Sequence, residues 1–313
     1  MFRDPALRTL RPRLLVLLIA TAWAAAVHPL GAQELEPRAY SASPVGMTFL
    51  MIGAGRSSGS VLLDPSLPLD DVRARLGVAT VGGGQTFDLA SRTALVVVAV
   101  PYARARLSGQ LGAGRAEAER SGWADTRARI SVNLIGGRAM RAREFGAARR
   151  GPILGASLSV VAPTGTYRST RLVNLGSNRW SFKPELGVSV PAGRWTLETY
   201  GGCWIFTEND AFYPGTAAHQ QAPVASLQAH VSYSMRPRLW LAFNATWYTG
   251  GVTSIDGVEK GDLQRNSRIG TAISIPFGRS QSLKAAFSTG TTTRIGGDFE
   301  TVAVTWQIAW LRP

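Results

Sequence analysis

Three histidines and one cysteine bound the catalytic chemistry open to this chain of 313 residues. His28 sits in an N-terminal leader, so His219 and His230 are the imidazoles left to a folded domain. A hydrolase built on His230, such as a lipid hydrolase, would need a nucleophile in reach and an acid or amide orienting the ring. His230 instead alternates with Ser226, Gln228 and Ser232, the pattern of a polar strand face. His219 falls in a long polar connection and is expected in solvent. Cys203 stands alone, which excludes an intrachain disulfide and the usual four-ligand zinc site. Gly82-Gly83-Gly84 lacks the Lys-Ser/Thr of a phosphate loop. The sequence therefore assigns no catalytic, cofactor-binding or metal-binding residue.

What remains is charge. Arg127, Arg129, Lys183, Glu185, Glu198 and Arg268, together with His230, each fall on the polar face of an alternating segment. In a bilayer such groups are tolerated only where they face water or one another. They are the candidate lining of a barrel lumen, either as a salt-bridged plug or as the wall of a polar pore.

The elements that would carry them follow from an arithmetic mismatch. Apolar residues make up 45% of the chain, and mean hydropathy is +0.03. Yet no helix-length apolar run follows residue 27. Apolar residues spread singly through the chain mean period-two alternation, the pattern of membrane strands. Val302, Val304, Trp306, Ile308 and Trp310 oppose Thr301, Ala303, Thr305, Gln307 and Ala309. Clear segments also occupy 125–135, 179–190, 224–235 and 268–277. Weaker ones occupy 45–55, 72–86, 94–106, 151–161, 194–206, 239–249 and 281–290. The prediction is an all-β, antiparallel transmembrane barrel of about twelve strands. Tight turns at 191–194, 236–238 and 278–280 alternate with long connections at 162–178, 207–222 and 250–263. Short periplasmic turns and long outer loops give that alternation and place both termini in the periplasm. Carried backwards, it makes 56–71 and 107–122 outer loops, 87–93 a turn, and the Arg-rich 136–150 an unusually long turn. Trp123, Trp180, Trp204, Phe206, Trp247 and Tyr248 are expected in an outer aromatic girdle. Trp195, Trp240, Phe277 and Trp310 are expected in an inner one.

Arg3, Arg8, Arg11 and Arg13 precede the apolar stretch Leu14 to Val27, and small residues precede Gln33. That is the layout of a cleaved signal peptide over 1–32, too short to span a bilayer. Residues 33–44 read as a short periplasmic lead-in and 45–313 as the barrel. The formal net charge is +14. An exported chain meets little nucleic acid, so outer-membrane lipids and a small-molecule solute are the expected partners, beside the outer-membrane assembly machinery.

One group of motifs goes beyond pattern: Ala162-Pro-Thr-Gly-Thr-Tyr167, Asn174-Leu-Gly-Ser-Asn-Arg-Trp180, Pro184-Glu-Leu-Gly187, Gly193-Arg-Trp195, Asn209 to Gly215, and Asn266-Ser-Arg268. Their order and spacing over about 45–310 resemble the meta-pathway of phenol degradation family of outer-membrane barrels. The resemblance implies a passive, porin-like channel or transporter for small hydrophobic or aromatic solutes, and it carries no catalytic residue. The ending departs from such barrels, which often finish on an aromatic residue; here Leu311-Arg312-Pro313 follow Trp310. A closed barrel working through its outer loops is the competing expectation.

Overall fold

The structure is a computed structural model, described here for residues 36–62, 69–111, 114–148 and 151–311. The expected signal peptide lies outside the described residues. The strands, in chain order, are β1 (Met47–Leu62), β2 (Leu69–Leu89), β3 (Arg92–Leu111), β4 (Gly114–Trp123), β5 (Thr126–Ile135), β6 (Ile153–Ala162), β7 (Ser181–Ala192), β8 (Trp195–Phe206), β9 (Asn209–Phe212), β10 (Ala217–Gln221), β11 (Val224–Arg236), β12 (Leu239–Gly250), β13 (Thr253–Ile255), β14 (Val258–Glu259), β15 (Gln264–Phe277), β16 (Gln281–Thr293) and β17 (Gly296–Leu311).

Every wall pairing is antiparallel, and β1 pairs with β17 from Met47↔Leu311 to Leu62↔Gly296, which closes the ring. The wall strands are β1, β2, β3, β5, β6, β7, β8, β11, β12, β15, β16 and β17, a twelve-stranded barrel. Closure leaves no strand edge in the membrane. Alternation builds it: on β12, Ala242, Asn244, Thr246 and Tyr248 are buried while Phe243 and Trp247 are exposed. Leu50, Ile52, Val81, Val98, Leu186, Ile269 and Val302 all point outward, an apolar exterior that only lipid would cover.

Both ends of the described chain reach the barrel end that carries the short turns. There Ala90-Ser91 joins β2 to β3 with both residues at positive φ, the geometry a two-residue hairpin needs. Gly193 and Gly278 supply positive φ in two further turns. The opposite end carries the long connections. Two of these hold a small second sheet, ordered β14-β13-β10-β9.

Three expectations change. Residues 56–62, 69–71, 107–111 and 114–122 are not outer loops but strand. β1 to β4 run far past the membrane level, because alternation continues there with arginine and glutamate on its outer face. β4 carries the path of β5 beyond Ala124-Asp125 and pairs with β3 alone. The 136–150 connection holds a one-and-a-half-turn helix, α1 (Ala142–Ala147), and an Arg92↔Arg138 bridge. Its helical content is too short to give a readable period.

Candidate functional site in the barrel interior

The interior has two unlike halves. On β7, β8, β11, β12 and β15, most inward residues are buried against one another. On β1, β2, β16 and β17, most inward residues are partly exposed. Most are small or neutral, among them Gly53, Gly55, Thr301, Ala303 and Thr305, with Lys284 of β16 the charged exception.

The packed half holds the charged residues. Glu185 Oε2 accepts from the Lys183 ammonium at 2.7 Å and from Gln228 at 3.2 Å. Its Oε1 accepts from Arg129 and from the Tyr40 hydroxyl, each at 3.1 Å. Arg129 also reaches Glu36 at 3.4 Å and Ser157 at 3.2 Å. Arg127 lies two residues earlier on the same strand face, half-buried. Glu198 accepts from the Arg38 amide at 2.7 Å. The ring of His230 stacks obliquely near Tyr200, and its Nδ1 sits 2.8 Å from Asn244 Oδ1. Arg268 stands apart, donating to Phe299 O at 2.7 Å and to Ser288 Oγ at 3.2 Å. Lys183, Glu185, Arg129 and Glu36 thus form one cluster, joined through Tyr40 and Tyr200 to Glu198 and His230.

Residues 36–46 complete this half. The Arg38 guanidinium donates to Ser232 and Ser234 at 3.0 and 2.6 Å and lies 4.9 Å over the Trp240 ring. Tyr40 is buried edge-on to Tyr200, with ring centroids 5.0 Å apart. A Cβ at Gly155 or Gly187 would overlap its ring, so these glycines make the slot that receives it. Val45 N donates to Met140 O, Gly46 N to Thr86 O, and Thr86 Oγ1 to Pro44 O. The segment therefore crosses the barrel end from β1 to the β6–β12 wall. Arg38 and Tyr40 were missed in the sequence because their short stretch has no periodicity. An arginine and a tyrosine in a segment otherwise fit for a linker were the available signal.

At the other end, residues 163–180 turn inward. Leu172, Val173 and Leu175 pack on an apolar cluster of Val61, Val72, Ala74, Ala105, Leu107 and Phe299. The motif residues noted in the sequence fasten this loop. Asp125 accepts from Gly165 N at 2.9 Å, Ser177 N at 2.8 Å and Ser177 Oγ at 2.6 Å. Tyr167 donates to Ala211 O, and Asn209 bridges Tyr167 and Asn178. His219 is not in solvent: it is buried, stacked on Phe212 and 3.4 Å from Arg179. Burial pushes the Arg179 guanidinium down to about 10 against the pull of Asp125, which leaves it cationic at neutral pH. An arginine N–H can only donate, so His219 Nδ1 is the acceptor in this contact. Trp204, Phe206, Trp240 and Tyr248, expected in the girdles, face inward instead; Trp123, Trp180, Trp195, Trp247, Phe277 and Trp310 face outward.

Asp125→Ala removes three charge-assisted hydrogen bonds, each worth about 1.5–3 kcal/mol. Trypsin should then cut at Arg168 or Arg171 in the folded D125A barrel, while the parent chain resists. Equal resistance in a digest followed by mass spectrometry would show that the loop is held by other contacts.

A family model described as "Putative MetA-pathway of phenol degradation" matches residues 71–306. The chain belongs to this family. Among solved structures, the family member's fold is similar to the COG4313 outer membrane channel from Pseudomonas putida F1, with a TM-score of 0.77 at 21% identity over 88% of this chain and 100% of that one. It is also similar to the transport unit of the autotransporter AIDA-I from Escherichia coli, with a TM-score of 0.50 at 11% identity over 96% and 97% of the two chains. No match is found among curated protein sequences. Fold and family together make the chain an outer-membrane β-barrel.

Proposed function

We propose that this chain is a passive channel for small, weakly polar solutes, with the short-turn end in the periplasm. The observation that carries the reading is the split interior: a packed half that holds most of the charges beside a half-open wall of mostly neutral residues with Lys284 among them. Arg127 and Arg129, half-buried, would border one side of the path, with Lys183, Glu185, Glu198, His230 and Arg268 packed behind it. They are held in place by their partners, and their side chains do not have to move for a solute to pass along β1, β2, β16 and β17. The apolar cluster around Val173 stands at the long-loop end of that path. An apolar constriction costs a hydrated ion its water and costs a phenol-sized, largely apolar solute little. This fits the family's name and the similarity to the outer membrane channel of Pseudomonas putida. His230 has an orienting amide in Asn244 but no hydroxyl hydrogen-bonded to it among the described residues, so the reading assigns it a place in the wall rather than in hydrolysis.

Liposomes bearing the refolded protein should admit phenol-sized neutral solutes faster than sugars of similar mass. Barrels that are folded by heat-modifiable migration yet equally silent to both would sink the channel reading. They would favour a closed barrel that acts through its outer loops.

A further inference from the structure

Above the lipid-facing band, the outer face of β1–β4 changes chemistry within one row of residues. Ala54, Ala79, Tyr102 and Trp123 lie side by side across the four strands. Tyr102 and Trp123 meet edge-on at 5.4 Å, both exposed, as a girdle pair at head-group level. The next outward row is Arg56, Gly77, Arg104 and Ser121, and the one beyond it is Ser58, Arg75, Arg106 and Glu119. Arg73 and Arg115 follow further out. Six outward arginines thus stand over the aromatic pair.

Their partners do not balance them. Glu119 holds both Arg104, at 2.5 Å, and Arg106, at 3.1 Å; Asp71 holds Arg73 and Glu117 holds Arg115, each at 3.0 Å. Arg56 and Arg75 form no ion pair within 4 Å among the described residues; the nearest outward carboxylate in their rows is Glu300 of β17, across from Ser58. Between Arg56 and Arg104 the floor is Gly77, where an added Cβ would meet nothing within 4 Å. Two strand spacings separate the flanking arginines, about 10 Å. That is an open notch, walled by Arg56 and Arg104, with Arg75 one row above. A phosphate seated there could be approached by Arg56 and Arg75 and by the one nitrogen of Arg104 that Glu119 does not take.

We propose that this notch binds a phosphate of the lipid A head group in the surrounding outer leaflet. The lipid source, rather than a free anion, follows from position: the notch sits on the outside of the wall, one residue pair above the girdle, where only a membrane-anchored phosphate is held. The proposal rests on the outward placement of the long-loop end. It predicts a fixed glycolipid contact on the β1–β4 side of the barrel.

Native mass spectrometry of the full chain with bis-phosphorylated lipid A tests it. Wild type should retain lipid A at least about tenfold better than R56Q/R75Q/R104Q, given the contribution of each basic residue near an anionic surface. Gly77→Leu fills the notch without changing charge and should lose retention too. Dephosphorylated lipid A should be retained as poorly as lipid A by the triple variant. Heat-modifiable migration and solute flux, unchanged in all variants, separate this site from folding and from the channel reading. Retention that survives both the triple variant and Gly77→Leu would overturn the assignment. So would full displacement of lipid A by inorganic phosphate, which would mark a free-anion site. Loss of retention on neutralising Arg138, Arg141 and Arg143 at the opposite end, with the notch variants unaffected, would overturn it as well.

Discussion

A chain lacking residues 36–44 should conduct ions with a unit conductance several-fold above that of the full chain. The segment crosses the short-turn end and places Arg38, Tyr40 and Glu36 in the interior, where they cap the polar wall. The twelve strands are paired without it, so removal subtracts cross-section and leaves the wall whole. It also releases Arg129 and Glu185 from their contacts with Glu36 and Tyr40, which turns a packed surface into a wetted one. The effect should be reproduced from the other side by Gly187→Val. That side chain takes the space of the Tyr40 ring while every residue of the segment is still present. Single-channel recordings in planar bilayers decide it. If both variants fold and show the parent's conductance, the segment is not the constriction, and the apolar cluster at the long-loop end limits flow.

The wall was legible because one physical rule writes it. A strand with lipid on one side and packed polar groups on the other must alternate, and all twelve wall strands overlap the expected ranges, several running well past them. Extension is where reading failed. Beyond the bilayer both strand faces become polar outside and apolar inside, as at Arg104, Ala105, Arg106 and Leu107. Charge there looks like a loop unless one knows that loop 163–180 folds in to cover Leu107 and Phe299. Aromatic residues were misassigned for a related reason. Trp204 and Trp240 occupy inward positions whose partners are Lys183 on the neighbouring strand and Arg38 from before the first strand. The charged face itself was readable from parity. Which charges touch was not, since Arg129, Lys183 and Glu185 meet only through the β5–β6–β7 register and a tyrosine from before the first strand. The motif asparagines and Asp125 were recognisable as a family pattern, but their work is to fasten one loop to another, not to touch a solute.

Glu185→Ala should be the most damaging single substitution in the interior, lowering stability by about 3–5 kcal/mol, the usual cost of removing one partner from a buried ion pair. Glu185 is the one carboxylate shared by Lys183, Arg129, Gln228 and the Tyr40 hydroxyl among the described contacts. Its side chain and that of Lys183 are 5% and 4% exposed. Water therefore cannot replace it, and the ammonium is left desolvated beside the face of Trp204, 5.8 Å away. Arg129 loses less, because Glu36 remains in range. The asymmetry gives the test its second arm. K183M/E185A removes the stranded charge and fills its volume with an apolar chain, so it should recover more than half of the loss. Guanidinium unfolding from lipid vesicles, read by tryptophan fluorescence, measures both. A loss below about 1 kcal/mol, the range of solvent-exposed pairs, would mean that water reaches Lys183. The charged half would then belong to the conducting path itself, and the division of the interior into a packed wall and an open one would have to be abandoned.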